Sequence, residues 1–222
     1  MKIFYSIPLF NGLQISHFFA ATAWMSATAS VEEVSYNTSA GGEAIFIYPW
    51  NPAFVPSKPS LYLVHDNHLM PTSTSGGDGI WLEDDPTNHW LYALVYNNTI
   101  DAQDIGFGIA VISTPGSTIL NNKISGKGGL GIGIFDASQA AVLINDVTGF
   151  AAGLAQIVLD GSLFGVPDTR NSTVVCKTPS DTVMDIGTND KVIGCQEMAS
   201  STAAASGMIA RPKALKKKPF VH

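Results

Sequence analysis

Three aspartates occupy like positions after short apolar runs: Asp84 in IWLEDD, Asp136 in IGIFDAS and Asp160 in LAQIVLDGS. Carboxylates that share one corner of a fold can divide general-acid and nucleophilic roles between them. If these runs are strands stacked on one another, Asp136 and Asp160 stand about 5 Å apart, the range of a retaining glycosidase pair. The candidate catalytic groups are therefore Asp136, Asp160 and Asp84. With Ser113, the same oxygens could hold a Ca2+ ion. Aspartate is also a common turn former that bonds its own backbone, so a purely local role stays open.

The strand preceding that corner has an outward side of its own. Period-2 alternation turns Ile45 and Ile47, Ile80 and Leu82, Ile109 and Val111, and Ile132 and Ile134 inward,. Phe46, Trp81, Ala110 and Gly133 then face outward. Two aromatics beside two small residues would make a floor for a sugar ring, with Glu83 at hand for its hydroxyls. Trp81, Phe46 and Glu83 are the candidate substrate-binding residues. The competing expectation is that loops 49–60 and 83–90 fold over the aromatics.

Other reactive side chains point to less. His65 and His68 flank Asp66, and His89 lies in EDDPTNHW. On a strand-turn path residues three apart point to opposite sides, so no metal site is expected. The sequence has no Gly-x-Ser-x-Gly elbow and no phosphate loop, and the Gly-rich GKGGLGIG lies between strands,. Cys176 and Cys195 follow matching runs, TVV and KVIG. On neighbouring coils their Cα atoms would fall within disulfide range; otherwise they are two buried thiols. The pairing is favoured because the sequons at Asn37, Asn97 and Asn171 also permit export,.

The positioning elements are written as repeats. Between GFGIAVISTPGSTILNNKISG and GLGIGIFDASQAAVLINDVTG, Ile109 answers to Ile132, Ile119 to Val142, Asn122 to Asn145 and Ile124 to Val147, each at an offset of 23 residues. LYLVHDNHL matches LYALVYNNTI at an offset of 31, placing Val64 with Val95 and Asn67 with Asn98. Asn67, Asn98, Asn122 and Asn145 thus hold one turn position in successive coils. Asn tolerates a left-handed turn, and stacked Asn amides can hydrogen-bond along an axis. A further match at an offset of 24 sets Asp160 over Asp136.

This series of PbH1-like repeats resembles the right-handed parallel β-helix proteins, the family that includes pectate-lyase-like folds. The resemblance covers residues 44–195 well and 12–43 loosely. It implies an all-β, right-handed parallel β-helix of about six coils, in which inward Ile, Val and Leu form continuous ladders. Activity does not carry over simply. Polygalacturonase-like enzymes carry NTD, DD, GHG and RIK motifs, of which this chain has only Asp84-Asp85. Pectate-lyase-like enzymes use a basic group, usually Arg, and here Arg170 lies in a widened loop and Arg211 near the end. Lys123 and Lys127 remain as bases.

Composition fits such a fold. Charged residues make up 14% of the 222 positions and hydrophobic ones 45%, with 21 glycines. Five of the 12 basic residues lie in the last twelve positions, leaving 7 basic against 18 acidic groups in residues 1–210. A nucleic-acid surface on the folded part is therefore not expected. No apolar run is long enough for a membrane-spanning helix. Residues 1–40 read either as a secretory signal, with Lys2 and an Ala27-Thr28-Ala29 cleavage site, or as a degenerate first coil. The β-helix is expected at 41–195 and a basic disordered tail at 196–222. Two functions are carried forward. One is an extracellular or cell-surface protein that binds or processes a polysaccharide, as a glycoside hydrolase or polysaccharide lyase if it is an enzyme. The other is a non-catalytic structural or display solenoid that meets a protein partner, and in either case the chain is a monomer or part of a longer chain.

Overall fold

The computed structural model describes residues 13–17, 31–40, 44–49, 60–71, 78–84, 91–102, 106–127, 129–150, 155–161 and 167–198. The expected signal cleavage site, most of the two covering loops, Asp85, His89 and the basic tail lie outside these residues, as does the side chain of Phe46.

The first coil carries β1 (Leu13–His17), β2 (Val31–Ser35) and β3 (Thr38–Ala40). The second carries β4 (Ile45–Pro49), β5 (Ser60–His65) and β6 (His68–Met70), and the third β7 (Ile80–Glu83), β8 (Leu91–Tyr96) and β9 (Thr99–Ala102). Next come β10 (Phe107–Ile112), β11 (Thr118–Leu120) and β12 (Lys123–Gly126), then β13 (Leu130–Phe135), β14 (Ala141–Leu143) and β15 (Asp146–Thr148). The last turns hold β16 (Ile157–Leu159), β17 (Thr173–Val175), β18 (Thr182–Asp185), β19 (Lys191–Ile193) and β20 (Gln196–Glu197). Strands cycle among three parallel sheets of eight, seven and five strands, so the chain is a three-sheet parallel β-helix of about six coils. Its last strand, β20, lies just past the boundary expected at 195.

Pairing follows the repeat. Ile109 stands beside Ile132, Ile119 beside Val142 and Ile124 beside Val147, while Val64 stands beside Val95. The inward residues stack into apolar ladders, and Ile80, Leu82, Ile109, Val111, Ile132 and Ile134 are fully buried. A coil alone would leave both edges of every strand unpaired, so the axial ladder and the apolar bore form together.

A row of asparagines closes the corner between the seven- and five-stranded sheets. Asn37 Nδ2 donates to Asn67 Oδ1 at 2.9 Å, Asn67 to Asn98 at 2.8 Å, Asn98 to Asn122 at 2.9 Å and Asn122 to Asn145 at 2.9 Å. The backbone amides of Asn37, Asn67, Asn98 and Asn122 donate to the same oxygens. Left-handed backbone falls one residue earlier than expected, at Tyr36, Asp66, Asn97, Asn121 and Ile144, with φ of 46–58°. The ladder asparagines are buried and serve as corner caps, whereas their predecessors take the bend,.

Cys176 and Cys195 form a disulfide with a Cα–Cα distance of 5.3 Å. It clips the corner after β17 to the turn after β19, tying the last turns together. Cys176 belongs to the bore cluster, and the partly buried Val192 and Cys195 pack against that cluster.

Candidate functional site

The positions expected outward on the eight-stranded sheet stand in register from strand to strand. Phe46 pairs with Trp81, Trp81 with Ala110, Ala110 with Gly133 and Gly133 with Val158. Of the two expectations for this row, open or covered, Trp81 meets the second. Trp81 is only 7% exposed. Its indole Nε1–H donates to Glu83 Oε2 at 3.0 Å, and its ring meets Phe107 edge-on at 5.8 Å. Phe107 in turn meets Phe135 edge-on at 5.9 Å. The space over the small residues is filled from within the sheet, since a Cβ at Gly133 would collide with the Phe135 ring. With Ala110, Ile112, Leu130, Ala155, Val158 and Met184, these three aromatic side chains form a second apolar cluster outside the bore. Alternation alone could not reveal this cover. Phe107 and Leu130 face outward because Gly108 and Gly131 turn toward the bore, where a Cβ on either would meet the core side chains Ile124 and Val147.

The aspartate corner is offset from the expected alignment. Ile132 pairs with Ile157 and Ile134 with Leu159, a register of 25 residues where the sequence match gave 24. Carried one residue further, that register sets Asp160 beside Phe135, and Asp136 beside Gly161. The apolar inward pairs fix the register, and a one-residue slip would turn Ile157 and Leu159 out of the bore. Asp84 does share a level with Ser113 and Asp136, because Ile112 pairs with both Glu83 and Phe135. Ser113 Oγ donates to Asp136 Oδ2 at 2.9 Å. Asp84 is buried, and its Oδ2 accepts the Leu91 amide at 2.7 Å, tying β7 to the start of β8. Asp160 is 3% exposed. Asp78, which sequence reasoning passed over, plays a similar part and accepts the Phe107 amide at 2.7 Å. Among the described residues no group of three His, Cys, Asp or Glu side chains is placed to hold a metal ion.

Against known proteins, the chain matches no family model, no curated protein and no solved structure. What it can do is therefore argued from its own surfaces.

Polar and aromatic groups gather instead on the outer face of the seven-stranded sheet. His65 Nδ1 lies 2.7 Å from Asp66 Oδ2, and Nε2 lies 3.3 Å from Glu33 Oε1. The Tyr96 ring stacks on the imidazole at 4.6 Å, and Tyr36 meets it edge-on at 6.0 Å. Burial, then the carboxylates of Asp66 and Glu33, push the Tyr96 phenol above its ordinary 10.0,. His68 lies on the five-stranded sheet and is exposed, so the two histidines diverge as strand geometry required. Asn37 is a ladder member, with its amide nitrogen donating to Ser35 O and Asn67 Oδ1. The other two sequon asparagines, Asn97 and Asn171, are exposed. Among the described residues no helix is long and apolar enough to cross a membrane.

Proposed function

We propose that the chain is a non-catalytic structural or display solenoid, exported and of the right-handed PbH1 type, whose faces meet a protein partner. The observation that carries this reading is the use of the candidate site residues for the fold itself. Trp81 is buried in an outer apolar cluster and spends its N–H on Glu83, while Asp84 caps the start of β8. The disulfide supports passage through an oxidising compartment,.

The test is a panel of acidic and neutral polysaccharides assayed for binding and chain cleavage, with and without calcium. No turnover and no retention are expected. Trp81→Ala is expected to cost about 3–5 kcal/mol of stability, as for other buried aromatics. Cleavage that Asp84→Asn or Asp160→Asn abolishes while the melting curve stays in place would overturn the reading in favour of a carbohydrate-processing enzyme.

A further inference from the structure

The three sheets differ in what they show to solvent. The five-stranded sheet presents a polar row of Thr38, His68, Thr99, Lys123 and Asp146. The outward side chains of the eight-stranded sheet from Trp81 to Met184 are themselves buried in a second apolar cluster. The seven-stranded sheet carries the polar cluster around His65 and also most of the exposed large apolar side chains. Of the seven exposed large apolar side chains among the described residues, six lie on its strands or in the turns after them: Val31, Tyr36, Leu61, Tyr92, Ile144 and Ile193. Exposed large apolar side chains gathered on one face mark an interaction surface.

We propose that this face docks a second copy of the chain, with the two solenoid axes antiparallel. The middle outward row selects that occupant. Glu33 opens the row at β2 and Lys191 closes it at β19, with Leu63, Leu94, Thr118, Ala141 and Thr173 between them in register. A two-fold axis lying between the faces, parallel to the strands and over β11, sets β2 against β19 of the second copy. Glu33 then meets the second copy's Lys191 at both ends of the interface. Leu94 meets the second copy's Ala141, Leu63 its Thr173 and Thr118 its Thr118, so large side chains oppose small ones. The other face-to-face dimer, with its axis along the solenoid, would set Glu33 against Glu33 and Lys191 against Lys191. Charge therefore chooses the antiparallel arrangement.

The area is adequate for a reversible complex. Seven strands about 4.8 Å apart span about 29 Å, and the outward rows with their turns span about 20 Å. That is roughly 600 Å² per copy and 1,200 Å² in total, the low end for a specific interface. A dimer of micromolar dissociation constant is expected.

The proposal names the partner for the structural reading above and rests on it. Sedimentation of the full chain over about a hundredfold range of concentration tests it, with melting curves as controls for folding. The wild type is expected to show a reversible monomer–dimer equilibrium. Glu33→Lys and Lys191→Glu each replace two attractions with two repulsions, and each should weaken self-association about tenfold or more. Mixed together, the two variants restore both contacts and should form a heterodimer near wild-type strength. Because Glu33 also touches His65, Leu94→Arg provides a second disruption away from that cluster. A wild type that stays monomeric throughout, a dimer indifferent to Lys191→Glu and Leu94→Arg, or mixed variants that fail to pair would overturn the proposal. So would capture of the monomer on a glycan array through Tyr36 and Tyr92. Monomeric protein without enzymatic turnover sinks only this proposal, whereas turnover sinks the structural reading itself.

Discussion

Asp185, at the end of β18, shows how a single carboxyl can work against its own fold. Burial first, then the nearby carboxylates of Asp190 and Glu197, raise its pKa above the ordinary 3.8, although the Gly187 amide donates to its Oδ1 at 2.8 Å and pulls the other way. The folded chain thus holds this proton more tightly than the unfolded chain. Its contribution to stability is fully present below 3.8 and is lost as pH rises through the raised folded value. Asp185→Asn keeps an oxygen for Gly187 and removes the charge. The melting temperature of this variant should exceed that of the wild type at pH 7, and the gap should close as the pH falls below 3.8. A variant that melts lower at pH 7 would show that the charge is supported by contacts stronger than its burial penalty.

At the scale of elements, the asparagine corner holds successive coils in register. Asn122 Oδ1 accepts from the Asn98 backbone and side chain, and its own amide reaches Val95 O and Asn145 Oδ1. Asn122→Ala strands several buried polar groups and should cost on the order of 2–5 kcal/mol. Asn121→Gly, next door in an exposed left-handed turn with φ 51°, should cost less than about 1 kcal/mol,. Denaturant unfolding of the two variants checks the contrast, and equal losses would contradict it. Four of the five rungs were legible in the sequence because offsets of 23 and 31 repeat there. Asn37 was missed although Val34 pairs with Val64 at an offset of 30, a weaker echo with few other matches. Cover over Trp81 was one of two expectations, but the outward turn of Phe107 and Leu130 was not legible, because alternation assumes an even pleat and Gly108 and Gly131 break it. Nor was the register of Asp160 legible, since GLGIGIF and AGLAQIVL align equally well at 24 residues until the bore decides for 25.

For the whole molecule, the account is of a stack whose three outer faces differ: one presents a polar row, one has its outward side chains buried, and one exposes large apolar side chains. Axial pairing, the apolar bore and the asparagine ladder are one cooperative structure, and the weakest part should be its far end. There β19 and β20 are largely exposed, and among the described residues β20 pairs with β18 alone. Native-state hydrogen exchange tests this most directly. The backbone amides of Asn67, Asn98 and Asn122, buried and donating to the next asparagine, should exchange among the slowest in the chain, while those of residues 191–197 should exchange first. Rapid exchange at Asn67, Asn98 and Asn122 would contradict a ladder-locked β-helix and the surfaces argued from it.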